Sequence, residues 1–510
     1  MALPQLRPSQ VGGSTRTWRA TGTAASLVLA AASWGCAAVP HEYSPVVWPG
    51  LVPWRAEGGS NLAALLVVLA TAVLLYAWWA LRDRLDTARA VRVTTAWWGA
   101  PLVLSAPLFS RDVWSYAAQG LLLHTGGDPY TQGVRGLPSP WVESVARTWL
   151  DTPAPYGPVF LDLARAVAAL SGGHLLLALL LLRLLAVAAV AVLVLAVPAL
   201  AARLGAGPAA AARAGWLGAL APLGLTHLVS GAHNDALMAA GLVLAALLAA
   251  DRRWLGALVV VALAAAVKAP AAVAVPFLAL LWAAAPGRST AAVVGRTVAG
   301  SLAAAAVFAL VSLASGLGFG WVRALSTPGL ASTWLSVPTA WGTVAGWVAS
   351  AAGGDGAAVA DRATALLRLI AYGVLAVLLV VLFVQALHHR DDRAAVLRRA
   401  GWAVLAVALL SGSFYPWYLL WALPLLAAAL APGDPGRDTR RDTGREAAGR
   451  RTGTGLALLA AALSVAVLPG GYSLAYSTTS VGAPLMVLLS LVLLALVART
   501  AARHVRSRVR

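Results

Sequence analysis

Residues 105–130 read SAPLFSRDVWSYAAQGLLLHTGGDPY. The run just upstream, VTTAWWGAPLVLSAPLF (93–109), has the apolar content of a membrane span, and Arg111 and Asp112 follow it directly. A carboxylate at the lip of a span is costly unless it caps something or does something. After it, VWSYAAQGLLLHTGG (113–127) spaces its apolar residues helically and ends in glycine, predicting a helix along the membrane surface. Ser110 and Asp112 both suit that helix's N-terminus, so a simple cap is one reading of Asp112 and a reactive carboxylate is the other.

The rest of the chain has the same character. Of 510 residues 60% are hydrophobic and 11% charged, and mean hydropathy is +0.78. Soluble domains carry about 25% charged residues, so this chain needs an apolar solvent. The net charge of +19 rests on 37 arginines and one lysine. The arginines sit in short loops between apolar runs, as membrane orientation demands, which excludes nucleic acid as a partner. Cys36 is the only cysteine, so no internal disulfide forms. Arg7, Arg16 and Arg19 precede an apolar run with no small-x-small cleavage site, which reads as a first span.

Candidate spans fall near 17–38, 60–81, 93–109, 173–200, 213–229, 233–250, 254–269, 270–285, 290–314, 364–387, 399–413, 416–432, 454–470 and 482–502. The 254–285 stretch also reads as one broken element, giving about 12–14 spans in an all-α polytopic membrane protein. Arg-rich 82–92, 251–253, 388–399, 437–451 and the tail share one side if both termini are cytoplasmic. The opposite side then holds the outer loops 110–172 and 315–361. The apolar part of the latter, 337–351, reads as interfacial or re-entrant. Residues 1–432 form one module. A flexible basic cytoplasmic linker (433–453) and a C-terminal pair of spans with a basic tail (454–510) follow.

Polar residues gather on the Arg-poor side. THLVSGAHNDALMAAGL (226–242) puts His227, His233, Asn234 and Asp235 at a tight turn between apolar runs. It is either a helix cap or a polar pocket for phosphate or sugar hydroxyls. In AAAVKAPAAVAVPF (264–277), the lone lysine, Lys268, interrupts an apolar run. It either snorkels to the interface or holds a phosphate as a point charge. SGSFYPWYLLWALP (411–424) presents Tyr415 and Trp417, as an interfacial belt or an aromatic sugar platform. The long loop adds Asp128 in GGDPY and Asp151 and Tyr156 in LDTPAPYG. No Walker A, Rossmann glycine pattern, zinc signature or nucleophile elbow occurs.

A multispan chain with a carboxylate opening a long first outer loop resembles the C-type (GT-C) glycosyltransferases. As a set, PLFSRDVWSYAAQGLLLHTGGDPY, TPAPYGPVFLDL, LVSGAHNDALMAAGLVLA, VKAPAA and FYPWYLLWALP are similar to the actinobacterial polyprenol-phosphomannose-dependent α-1,6-mannosyltransferases, over about residues 90–432. The resemblance implies a GT-C fold in the plasma membrane with an outward-facing site. It implies a polyprenyl-phosphomannose donor and a growing lipid-anchored mannan, of lipomannan or lipoarabinomannan type, as acceptor. A β-linked donor and an α-linked product imply inversion by single displacement. Asp112 is then the candidate base. Arg111 either keeps that carboxylate ionised or binds phosphate; Lys268, His233 and His227 are candidates for the phosphate, and Asn234, Asp235, Tyr415 and Trp417 for the sugar. Asp128 and Asp151 are the rival carboxylates. The phosphate is already a good leaving group, so neither metal nor cofactor is expected. The rival readings are another lipid-phosphate glycosyltransferase, such as an arabinofuranosyltransferase, and a lipid or sugar transporter or flippase. A structural cell-wall partner is the weakest.

Overall fold

A computed structural model describes residues 12–40, 59–325, 327, 333–431 and 443–509. Most of the 39–59 loop, residues 433–442 of the expected linker and the last residue of the basic tail lie outside the described residues. The described residues are mostly helical, with a two-stranded ribbon of Val467–Leu468 and Tyr472–Ser473. It divides into two compact units. One comprises Met1–Thr327, Val381–Leu405 and Pro416–Tyr472; the other comprises Pro328–Val380, Ala406–Tyr415 and Ser473–Arg510.

In the first unit, Ser14 caps the opening helix Thr15–Cys36 by accepting the Thr17 N–H. Glycine lets this helix meet a later one closely: a Cβ on Gly22 would lie 2.1 Å from Trp98 of the helix Ala88–Val103. Leu175–Arg203 is apolar on every face, the pattern of a helix surrounded by protein and lipid. Its 29 residues span about 43 Å, more than the roughly 30 Å hydrocarbon core.

Among the described residues, four helices are long and apolar enough to cross a membrane: Asn61–Ala80, Leu175–Arg203, Thr290–Ala314 and Gly356–His388. The pair Pro222–Ser230 and Asp235–Ala250, bent by 120° at its break, makes a fifth if taken as one span. The expected 12–14 is not reached by this measure, because several apolar runs are cut short. Trp254–Val267 stops at Lys268, whose backbone is extended, and a 3-10 turn, Ala269–Ala274, carries the chain into Val275–Ala283. The 254–285 stretch is therefore one broken element. Fourteen helical residues rise only about 21 Å.

The helix expected after Arg111 runs Asp112–His124. It ends as predicted: the Gly127 N–H returns to the Leu122 carbonyl across Gly126, whose φ of +91° only glycine adopts readily. Its environment differs from expectation. Val113 to Gly120 are all buried. The helix packs inside the unit against Pro158–Leu170, so closely that a Cβ on Gly120 would lie 2.3 Å from the Ala164 carbonyl oxygen. A neighbouring helix covers its apolar face.

The second unit contains Val337–Ala351, the first part of Gly356–His388 and Thr479–Val509. Gly342 and Gly346 let the first two helices touch backbone to backbone. Trp341 Nε1 donates to Ser490 Oγ at 2.9 Å. Residues 443–453, expected as linker, open the helix Thr443–Ser464.

Candidate active site

Three separated segments of the first unit converge on one cluster. The first is the start of the Asp112–His124 helix. The second is the elbow between Pro222–Ser230 and Asp235–Ala250. Here the helix loosens into a π turn over Leu225–Ser230, a deformation frequent at functional sites. Ala232 then takes φ +50°, a left-handed conformation costing about 1–2 kcal/mol outside glycine. This strained corner turns His233 and Asp235 inward. The third segment is the break after Val267, which releases Lys268 from its helix.

The charged groups form a row. Asp112 Oδ2 lies 3.7 Å from His233 Nδ1, and the same nitrogen lies 3.5 Å from Asp235 Oδ2. Asp235 Oδ1 is 2.7 Å from the Lys268 ammonium and also accepts from Trp421 Nε1. Asp235 and His233 are fully buried; the Asp112 side chain keeps 17% exposure, so it is the carboxylate of the row with accessible surface. Removing either member of a buried pair such as Lys268–Asp235 costs about 3–5 kcal/mol, because the survivor is left charged and unpaired.

Aromatic groups wall the row. Lys268 Nζ lies 5.2 Å from the ring centroids of both Tyr418 and Trp421 and 5.8 Å from that of Tyr156. The Trp417 ring lies 4.5 Å from His233 and 5.1 Å from His227. Tyr116 donates to Asn234 Oδ1 at 3.3 Å and packs edge-on against Tyr156 and Phe160. Tyr156 is held by Gly157, whose N–H bonds the Val267 carbonyl and where a Cβ would lie 2.1 Å from the Ala266 oxygen.

Asp112 is not the principal cap of its own helix. The N-cap position belongs to Arg111, whose side chain makes no cap bond, and the Asp112 N–H is satisfied by Ser110 Oγ at 3.1 Å. The carboxylate gains from the helix N-terminal dipole while pointing at His233. Burial pushes its pKa up and Asp235 adds to the rise; His233, Lys268 and the Ser110 hydroxyl oppose it without cancelling it.

The other candidates are placed differently. Arg111 donates from Nε to the Gly470 carbonyl at 3.0 Å, and burial, then the charge of Arg147, lowers its pKa. Asp128 closes its own turn, accepting from the Tyr130 N–H at 2.9 Å and from Thr131 Oγ1 at 3.1 Å. Asp151 is exposed and paired with Arg135, which holds its carboxyl below the usual range. Tyr415 belongs to the second unit and is half-buried. No group of three or more His, Cys, Asp or Glu arranged to hold a metal occurs among the described residues.

Sequence reasoning missed Tyr116, Tyr418, Trp421 and Arg183. Tyr116 stands four residues after Asp112, hence on the same helix face, a spacing that was there to be used. Trp421 repeats the same interval after Trp417. Arg183 is the lone charge inside the 29-residue Leu175–Arg203 helix. It donates to the Val103 and Ser105 carbonyls at 3.0 and 2.6 Å and to the Ser230 carbonyl at 2.7 Å. It thus ties the chain entering Asp112 to the end of the π turn before His233. Ser105 and Ser230 also share a hydrogen bond at 2.8 Å.

Residues 19–284 match the model of the alpha-(1→6)-mannopyranosyltransferase N-terminal domain, and residues 338–499 match that of the MptB C-terminal domain. The chain is 36% identical to alpha-(1→6)-mannopyranosyltransferase A of Mycobacterium tuberculosis, over 80% of this chain and 79% of that protein. It is 34% identical to a probable alpha-(1→6)-mannopyranosyltransferase of Mycolicibacterium smegmatis, over 82% and 79% respectively. It is 27% identical to alpha-(1→6)-mannopyranosyltransferase B of Corynebacterium glutamicum, over 80% and 72%. No solved structure matches.

Proposed function

The chain belongs to the alpha-(1→6)-mannopyranosyltransferase family and is a mannosyltransferase, and from that premise we propose that it moves mannose from polyprenyl-phosphomannose to a growing α-1,6-mannan on a lipid anchor, with Asp112 as base. The observation that carries this reading is the row Asp112–His233–Asp235–Lys268, which sets a partly open carboxylate beside buried positive charge.

The reaction is a single displacement with inversion. The acceptor's 6-hydroxyl oxygen attacks the anomeric carbon, the bond from that carbon to the phosphate oxygen breaks, and the hydroxyl proton passes to Asp112. Polyprenyl phosphate leaves with the bonding pair. Asp112 suits this task because burial raises its basicity while its remaining exposure admits an acceptor. The ammonium of Lys268 has three N–H donors and Asp235 Oδ1 takes one. The others, with His233 and His227, receive the leaving phosphate and stabilise its developing charge. Asp235 holds Lys268 and Trp421 in place. Trp417 and Asn234 line the mannose, Tyr156 flanks the phosphate end, and Arg111 stands beside Asp112 at the approach to the site.

On this reading the fold is of GT-C type in the plasma membrane, both termini are cytoplasmic, and the site faces outward in a catalytic module of residues 1–432. Mannosyl transfer is tested with membranes supplied with labelled polyprenyl-phosphomannose and a synthetic α-1,6-mannoside. Transfer that requires polyprenyl-phosphoarabinose instead would refute the donor; a donor-independent uptake activity would favour the transporter reading.

A further inference from the structure

The chain leaves the cluster at Asp235, descends the sixteen-residue helix to Ala250, turns through Asp251–Arg253, and climbs Trp254–Val267 back to Lys268. Sixteen helical residues rise about 24 Å, so this turn lies at the far end of the apolar layer from the cluster. A cavity of about 720 Å³ opens there, and Arg252, Arg288, Arg296, Arg390 and Arg393 line it with Asp391 as the opposing carboxylate. Five positive charges against one leave a net of +4 within one concavity. Orientation in the membrane requires arginine on a side; it does not require arginines from three segments to converge on one hollow.

The guanidinium groups are held in place by neutral partners. Arg390 donates to Thr290 Oγ1 at 3.1 Å and to the Arg288 carbonyl at 3.3 Å. Arg393 donates to the Ala250 carbonyl at 2.9 Å, and Arg288 to the Ala283 carbonyl at 2.7 Å. Arg296 stacks on Trp282, 4.5 Å from the ring centroid. Among the described residues none of the five forms an ion pair with a carboxylate. Arg252 adopts φ +60°, a left-handed backbone that a non-glycine residue holds only when its surroundings demand it. Carbonyl and ring contacts orient a guanidinium without neutralising it, and planar forks so arranged match phosphate oxygens.

We propose that this cavity binds a phosphate-bearing anion at the membrane face opposite the catalytic cluster, the phosphodiester headgroup of an anionic phospholipid being the source favoured by its place at the end of the apolar layer and by Trp254 and Trp282 in its lining. The full-length protein in neutral detergent is titrated with fluorescent phosphatidylglycerol and, separately, phosphatidylcholine, with and without millimolar pyrophosphate. The wild type should bind phosphatidylglycerol preferentially, and the preference should fall as salt rises. R296Q/R390Q should weaken phosphatidylglycerol binding about thirtyfold, while R296K/R390K retains most of it. Displacement by pyrophosphate would identify a soluble phosphate as the source; resistance to it would identify the lipid. Equal binding of the two lipids by the wild type, or undiminished binding by R296Q/R390Q, overturns the site. If the glutamine variant does not fold, the wild-type lipid preference and its salt dependence decide alone.

Discussion

The Nδ1 atom of His233 lies 3.7 Å from Asp112 Oδ2, although the two residues stand 121 positions apart in the sequence. That distance joins the one partly exposed carboxylate of the cluster to a buried imidazole, and through it to Asp235 and Lys268. The consequences are open to measurement.

Asp112→Asn keeps the size of the side chain and removes its basicity. Transfer should fall by about 10²–10⁴-fold with donor affinity little changed, since a base acts on the acceptor proton. Donor binding and single-turnover transfer, measured on the same preparation, separate the two effects. Near-normal turnover would leave Asp112 a dipole-stabilised helix residue and no more.

The pH profile follows from the direction of the Asp112 shift. Its carboxyl is raised above the ordinary value, chiefly by burial, and the deprotonated form is the active one. Activity should therefore rise with pH along a limb displaced above the usual range near 4. His233 and Lys268 both lower the Asp112 pKa, so His233→Gln should move that limb further up. A limb at the pH of an exposed aspartate, or one unmoved by His233→Gln, would contradict the geometry.

Lys268→Met leaves the fully buried Asp235 without its cation. Thermal unfolding in detergent should show a loss of about 3–5 kcal/mol, with Lys268→Met/Asp235→Leu recovering much of it. Additive losses in this cycle would mean that the two side chains do not interact.

Asp151→Asn and Asp128→Asn are the matched controls. Asp151 is exposed with Arg135, and Asp128 is spent on its own turn. Transfer by either variant should stay within about threefold of wild type, because neither removes a group from the row. A thousandfold loss in either would move the base to that residue.

Arg183→Met removes the donor shared by Val103, Ser105 and Ser230. At least about 3 kcal/mol of stability should go with it, since several buried carbonyls lose charged partners. Arg183→Lys should recover only part of that, because an ammonium cannot span all three acceptors as the planar fork does. Full recovery by lysine would show that charge alone matters there.

Membrane class, helical content and family were legible in the sequence, because each is a sum over local properties. Hydropathy selects the solvent, 3.6-residue spacing and end residues select the helix, and the motifs of residues 90–432 are short strings. The Asp112–His124 helix and the break at Lys268 could be read the same way. Asp112, Asp128 and Asp151 carry the same carboxylate within one loop, and nothing local ranks their chemistry. Tertiary packing separates them: one turns toward His233, one closes a turn, one pairs with arginine in solvent. The same holds for Arg183, whose three acceptors come from segments about 50 and 80 residues away. Proximity between distant segments and the burial of a charge are set by how helices pack, and a sequence states them only through the fold.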